Sequence, residues 1–271
     1  MRCGNSVFRW GQRTYIMGII NLSPDSFSGD GCTSVDAALQ KARQMVEEGA
    51  DIIDVGGEST RPDASPLSAD EETRRIIPFI AGISSQISVP VSVDTYKPDV
   101  ASRALEAGAC MLNDISGSSM EPGMLKLAAE RNTPIVLTSN QRGQTTVNMI
   151  EAVLSQLGDL IERAVSAGIR RENIIVDPGI GFGKTVEQNL EIVRRLDELK
   201  VLGCPVLLGT SRKSFIAAVA GASPEERFLG TAASVAIGIC RGADIVRVHD
   251  VRQMTLICRM SDAIVGRTGT G

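Results

Sequence analysis

Residues 173–184 read NIIVDPGIGFGK. Ile174, Ile175 and Val176 are β-branched and apolar, Asp177 follows directly, and Pro178-Gly179 stop the run. That spacing predicts a buried strand that delivers a carboxylate to its C-terminal end. An ionised carboxylate at the rim of a core is costly unless a cation or a hydrogen-bond donor meets it, so Asp177 calls for a partner. Related endings recur at Ile52-Ile53-Asp54, Val91-Ser92-Val93-Asp94, Met111-Leu112-Asn113-Asp114 and Val246-Arg247-Val248-His249. One polar strand end means little; the same placement repeated along one chain implies a shared face.

Outward from this stretch the pattern alternates. Strands are expected at 15–20, 51–55, 89–94, 110–113, 134–138, 174–177, 205–209 and 244–248. Helical spacing follows them at 35–48, from the Ser68 to Glu71 capping box onward, and at 98–107, 124–131, 147–167, 186–199, 225–240 and 251–265. The segment before Tyr15 reads as a polar leader, and Ser214-Phe215 leads into a short apolar turn before the capping box Ser223-Pro224-Glu225-Glu226. Eight strand-helix units in 271 residues, with no linker, repeat or low-complexity tract, predict one α/β domain over 1–271, a single (β/α)8 TIM barrel. A doubly wound open sheet is the competing architecture. In a barrel the strand-end polar groups all meet at the C-terminal rim, where such folds place their active sites.

Composition agrees with a core of this size: 43% of residues are hydrophobic and only 3% aromatic, so the interior is mostly aliphatic. A net charge of −4 from 28 basic and 32 acidic residues offers no footprint for nucleic acid or an anionic membrane. No apolar run approaches the about 18 residues of a membrane span, and no targeting segment is evident. Six widely spaced cysteines without a C-x-x-C pair read as reduced thiols of a cytoplasmic protein.

The rim residues fall into two chemical groups. Arg61, Arg212, Lys213, Arg247 and His249 follow three of the strands, with Ser211 and Ser214 adding hydroxyls, and together they suit a phosphate or diphosphate. Taken singly, Arg61 and Arg212 also read as solvated surface charges, and His249, the only histidine, as a structural one. Asp94, Asn113 and Asp177 make an acidic and amide group suited to the amino-pyrimidine edge of a flat heterocycle, with structural ion pairing as the alternative. Asn21 offers an amide oxygen to Mg²⁺ or serves as an ordinary turn residue. Gly179 to Thr185 ends like a phosphate-binding P-loop, but Pro178 stands where the first glycine is needed, so an ATP site is refused and Phe182 is left as an apolar wall.

Seven motifs in order, MGIINLSPDSFSGDG, DIIDVGGESTRP, SVDTYKP, LNDISG, DPGIGFGKT, GTSRKSF and RVHDV, make the chain resemble the dihydropteroate synthase family of pterin-binding TIM barrels over nearly its whole length. The resemblance implies condensation of a pterin methyl diphosphate with 4-aminobenzoate, small-molecule substrates and Mg²⁺ as cofactor. It implies that Asp94, Asn113, Asp177 and Lys213 bind the pterin, with Asp94, Asp177 and Lys213 carrying the catalysis. Thr60, Arg61, Arg247 and His249 hold the diphosphate, Asn21 ligates the metal, and Phe27, Pro62, Phe182 and Ser214 wall the aminobenzoate pocket. The two loops after the first two strands are expected to close over the site.

One segment departs from the family pattern: Leu137-Thr138-Ser139-Asn140-Gln141-Arg142-Gly143 has Thr-Ser where the family usually carries Met-His, which is expected to loosen the pterin floor and removes a ring. Two other functions compete, a methyltetrahydrofolate methyltransferase acting on a corrinoid protein and a catalytically weak pterin-binding homologue. The cationic group speaks against the first, and only Thr138-Ser139 favours the second. Finally, Phe228, Leu229, Ala232, Val235, Ala236, Ile237 and Ile239 spread apolar side chains around one helix, which predicts burial on more than one side and a homodimer.

Overall fold

The computed structural model describes residues 1–22, 34–58, 66–143, 146, 148–221, 223, 226–267 and 269, with Ser118 as backbone alone. A two-stranded antiparallel hairpin, β1 (Arg2–Cys3) and β2 (Ser6–Val7), precedes eight parallel strands: β3 (Tyr15–Asn21), β4 (Ile52–Gly56), β5 (Val91–Asp94), β6 (Met111–Asp114), β7 (Ile135–Thr138), β8 (Ile174–Asp177), β9 (Leu207–Leu208) and β10 (Ile245–Val248). They pair in the order β8-β7-β6-β5-β4-β3-β10-β9, and a parallel bridge between Val176 and Val206 joins the two ends, where the Val176 amide also donates to Pro205 O at 3.0 Å. The sheet therefore closes, and the expected TIM barrel is what forms.

Helices return the chain outside the barrel: α1 (Val35–Glu47), α2 (Ala69–Ile83), α3 (Pro98–Glu106), α4 (Pro122–Glu130), α5 (Met149–Ser166), α6 (Val186–Arg194), α7 (Ser214–Ala220), α8 (Arg227–Cys240) and α9 (Val251–Ile264). Their starts follow capping chemistry. Ser34 and Ser68 accept from the amides of Ala37 and Glu71, and Thr185 and Gln188 form a reciprocal capping box. Ser223 and Glu226 also exchange two hydrogen bonds, so the expected cap is present, although the helix proper begins at Arg227.

Strand periodicity divides the interior in two. One face of the barrel, with Ile16, Ile53, Val93, Leu112, Ile135, Val176 and Val246, packs against the helices. The other face points inward, where Tyr15, Met17, Ile52, Met111, Val136, Ile175, Leu207 and Ile245 fill the lower barrel together with Cys3 and Phe8. The leader is thus not a polar tail. Its hairpin plugs the N-terminal end, and Phe8, Trp10 and Tyr15 stack there with ring centroids 4.9 to 5.6 Å apart. With that end sealed, only the C-terminal mouth is left for a ligand.

Two further expectations are corrected. The apolar turn after Ser214 is the helix α7, closed by Gly221 in the left-handed region. The single helix over 186–199 is instead α6 followed by a 3-10 stretch, Leu196–Leu202, because Arg195 leaves helical geometry at φ −110° and ψ 21°. No helix among the described residues is long and apolar enough to cross a membrane.

Candidate active site

At the mouth, alternation decides which strand-end groups face inward. Asp54 lies two residues beyond the inward Ile52, Asn113 beyond Met111, Thr138 beyond Val136, Asp177 beyond Ile175 and Arg247 beyond Ile245. Asp54, Asp94 and Arg247 join in one cluster with Asn113. Arg247 Nε donates to Asp54 Oδ2 at 2.7 Å and its Nη2 to Asp94 Oδ2 at 2.6 Å, while Asn113 Nδ2 donates to the same Asp54 oxygen at 3.1 Å. Asp54 is completely buried. Two carboxylates on one guanidinium hold it charged, so Arg247 is driven further above its already high range despite burial. Burial pushes the Asp94 carboxyl up to about 7, with Arg247 opposing and Asp54 reinforcing the rise.

Asp177 ends β8 and turns one oxygen to the Gly179 amide at 2.7 Å. Burial raises its carboxyl, and Lys213 is the strongest opposing influence. Lys213 stands at the N-terminus of α7, donates to Ile180 O and lies 5.0 Å above the Phe182 ring. Burial lowers its amine to about 8, countered by Asp177 and Asp94. Asp94, Asp177, Lys213 and Arg247 thus feel one another across one mouth. Sequence alone sorts these residues into a cationic group and an acidic and amide group; the structure sets Arg247 among the acidic groups, because β10 and β4 both flank β3 and bring their ends together.

His249 follows β10 and shares a 2.9 Å hydrogen bond between its Nδ1 and Ser211 Oγ, which also accepts from the His249 amide at 3.2 Å. Arg212 pairs with Asp250 through two nitrogens, at 3.0 and 2.5 Å, which makes it a structural rather than a solvated charge. Asn21 ends β3 half-buried, on the inward face shared with Met17. Ser214 is exposed at the first turn of α7. Phe27, Thr60, Arg61 and Pro62, and with them most of the two expected covering loops, lie outside the described residues.

Phe182 is held by the neighbouring loop. Gln141 N donates to Phe182 O at 3.2 Å, and the Arg142 guanidinium covers the ring at 4.9 Å. The two loops approach so closely that a Cβ at Gly179 would sit 1.8 Å from Ser139 O, and one at Gly183 2.3 Å from Arg142 N; both residues have positive φ. Lys184 closes the junction, donating to Gly179 O at 2.9 Å, Ser139 O at 3.0 Å and Phe182 O at 3.2 Å. Burial lowers its amine to about 7, with Asp177 opposing.

Thr138 and Ser139 are fully buried. Ser139 Oγ donates to Gln156 Oε1 at 2.7 Å, Gln141 Nε2 donates to the same oxygen at 2.9 Å, and Gln156 Nε2 donates to Asn140 O at 3.1 Å. Ser139, which stands where the family pattern has a ring, is thus tied into an amide network. Two contributors escaped sequence reasoning. In the sequence Asp54 is a strand-end carboxylate without an assigned role, and Lys184 belongs to the run that Pro178 excludes as a P-loop; the inward register of Asp54 after Ile52 is the available signal.

Comparisons with known proteins agree with this arrangement. A family profile described as "Pterin binding enzyme" matches residues 17–249. The dihydropteroate synthase of Clostridium beijerinckii is 48% identical over 98% of this chain and 100% of its own length. A Clostridium difficile dihydropteroate synthase solved in the presence of pteroic acid superposes with a TM-score of 0.90 at 47% identity, covering 95% of this chain and 99% of that one. The Xanthomonas albilineans dihydropteroate synthase with 4-aminobenzoic acid gives 0.88 at 39% identity, over 93% of each chain. The chain is similar to these enzymes in fold and in sequence over nearly its whole length, and it belongs to the dihydropteroate synthase family of pterin-binding enzymes.

Proposed function

We propose that this chain joins the amine of 4-aminobenzoate to the methylene carbon of 6-hydroxymethyl-7,8-dihydropterin diphosphate, giving 7,8-dihydropteroate and diphosphate. The observation that carries this reading is the inward cluster in which Arg247 bridges Asp54 and Asp94 beside Asp177 and Lys213. Asp94, Asn113 and Asp177 take the N–H edge of the pterin, and Lys213 donates to its carbonyl side. Asp54 positions Asn113 and Arg247 without touching substrate.

Thr60, Arg61, Arg247 and His249 receive the diphosphate. As the C–O bond breaks, electrons leave with diphosphate, and these donors stabilise the departing charge. Asp94 and Asp177 stabilise the positive charge left on the pterin methylene. The aromatic amine, held against Phe27, Pro62, Phe182 and Ser214, then forms the C–N bond and loses its proton. No protein nucleophile takes part.

Asn21 fits a Mg²⁺ partner: its neutral amide oxygen is a hard donor on the inward face of β3, and Mg²⁺ uses one or two protein ligands when it also binds substrate phosphate. When bound, the ion supplies further charge neutralisation to the diphosphate. A homodimer forms through α7, α8 and α9, where Val219, Leu229, Ile237, Leu256, Met260 and Ile264 are exposed and apolar. The chain acts in the cytoplasm, a reading supported by its free cysteines.

The test is diphosphate release from the pterin substrate, with and without 4-aminobenzoate and Mg²⁺. Release that depends on both supports the proposal. Substrate binding without release, or release indifferent to 4-aminobenzoate, refutes it.

A further inference from the structure

At the sealed end of the barrel, two cysteines meet. Cys3 lies in β1 and is almost fully buried; Cys110 precedes β6 and is half-buried. Their sulfurs are 3.5 Å apart although the residues are separated by 107 positions. Cys3 Sγ also donates to Cys110 O at 3.1 Å, so the hairpin thiol is aimed at its partner by a second contact. Cys110 is fixed from the other side, its amide donating to Val91 O at 2.9 Å and its thiol turned to the same oxygen at 3.8 Å. Cys240 and Cys258, by contrast, share no hydrogen bond with another cysteine among those described.

We propose that Cys3 and Cys110 are a reversible disulfide site, closed by a low-molecular-weight disulfide and opened by thiols. A disulfide needs the sulfurs at about 2 Å, so they must approach by about 1.5 Å. The element that has to move is a two-residue strand in a hairpin, not a barrel strand. Cys110 is the attacking sulfur, being the more exposed of the two and held below the usual thiol range by the hydrogen bond from Cys3. Its thiolate attacks one sulfur of RSSR, forming Cys110–S–S–R and releasing one RSH. Cys3 then loses its proton and attacks the Cys110 sulfur, forming Cys3–S–S–Cys110 and releasing the second RSH. Two protein thiols are oxidised and one RSSR is reduced to two RSH, so the step balances. The bond ties the plug to β6 and closes a loop of more than a hundred residues, which restricts the unfolded chain.

The full chain is incubated under native conditions with graded oxidised glutathione, blocked with an alkylating agent, digested and mapped by mass spectrometry, with exposed Cys240 as the internal control for reagent access. The expected result is a linked peptide pair containing Cys3 and Cys110, a loss of two free thiols that dithiothreitol restores, and a melting temperature raised by roughly 5 to 15 °C. Cys110→Ser and Cys3→Ser each abolish the link and the shift. The proposal is overturned if Cys240 is glutathionylated while Cys3 and Cys110 both remain reduced, if either pairs with another cysteine instead, or if the link appears only after denaturation.

Discussion

Replacing Asp54 tests whether the mouth is organised around one buried carboxylate. Asp54 Oδ2 takes hydrogen bonds from Arg247 Nε at 2.7 Å and Asn113 Nδ2 at 3.1 Å, with no exposure to solvent. At an effective dielectric of about 20, opposite unit charges at this separation attract by roughly 6 kcal/mol. Desolvation offsets much of this, and what a substitution reveals is the cost of leaving the partner behind, about 3 to 5 kcal/mol for a broken buried pair. Asp54→Ala should reach that range. Asp54→Asn keeps an acceptor oxygen and leaves Arg247 with Asp94, so a cost of about 2 to 3 kcal/mol is expected. At about 2 to 4 °C per kcal/mol for a chain of this size, the Asn variant should melt about 4 to 12 °C lower. Asp54 is also one cause of the raised Asp94 carboxyl, so its neutralisation should move the Asp94 midpoint down from about 7. Thermal melts and an NMR titration of the Asp94 carboxyl carbon read the two effects. An unchanged melting temperature together with an unchanged Asp94 midpoint would refute the view that Asp54 organises Arg247.

Lys184→Met removes an ammonium that joins Gly179, Ser139 and Phe182 carbonyls, so a loss of about 3 kcal/mol is expected, with KM for 4-aminobenzoate rising more than kcat falls as Phe182 shifts; steady-state kinetics showing an unaltered KM would contradict this. Asp177→Asn should abolish pterin binding in calorimetry, and retained affinity would remove Asp177 from the pterin site. The buried carboxyls of Asp94 and Asp114 rise to about 7 and about 6 from 3.8, so the folded chain holds protons that the unfolded chain has released. Their contribution to stability is therefore present below about pH 4 and is lost as pH rises to about 7; melts of the ligand-free protein between pH 5 and 7 should show this slope, flattened in Asp94→Asn. Leu229→Asp with Ile237→Asp places charge on the exposed side of α8, and on the proposed dimer light scattering should report a monomer for the variant and twice that mass for the parent chain.

Strand positions were legible because the parallel strands are short apolar runs, several of them β-branched, that lead into polar residues or breakers, as in Ile174 to Gly179. The N-terminal hairpin was not, because its strands are only two residues long and carry no alternation for a periodicity argument to use. What stabilises it is tertiary: Phe8, Trp10 and Tyr15 close on one another at the bottom of a barrel that exists only once β3 to β10 are assembled. The same limit explains α7. Seven residues of small and apolar character read as a turn, and only packing beside α8 gives them a helical register.

For the site, residue types and strand ends sufficed to name Asp94, Asn113, Asp177, Lys213 and Arg247, but not the pairings. Arg247 finds Asp54 across 193 residues and Asp94 across 153, separations at which sequence carries no geometric information until the sheet order is known. That order makes the outcome nearly unavoidable. With β3 between β10 and β4, inward side chains at the ends of β10, β4 and β5 converge on the axis, and a largely desolvated guanidinium there has few ways to be satisfied other than by the carboxylates beside it. Arg247 is consequently an anion-binding candidate whose charge is already matched by two protein carboxylates. A diphosphate can draw on it fully only where one of those carboxylates is protonated or engaged by the pterin, and Asp94, with its carboxyl near 7, is poised to do either. On the proposed roles of Asp94 at the ring and Arg247 at the leaving group, the two recognitions are coupled, so Asp94→Asn should weaken pterin affinity while strengthening the hold of inorganic diphosphate. Calorimetric titration with each ligand decides it: if diphosphate binds no more tightly to the Asn variant, the two recognitions are independent and the coupling fails.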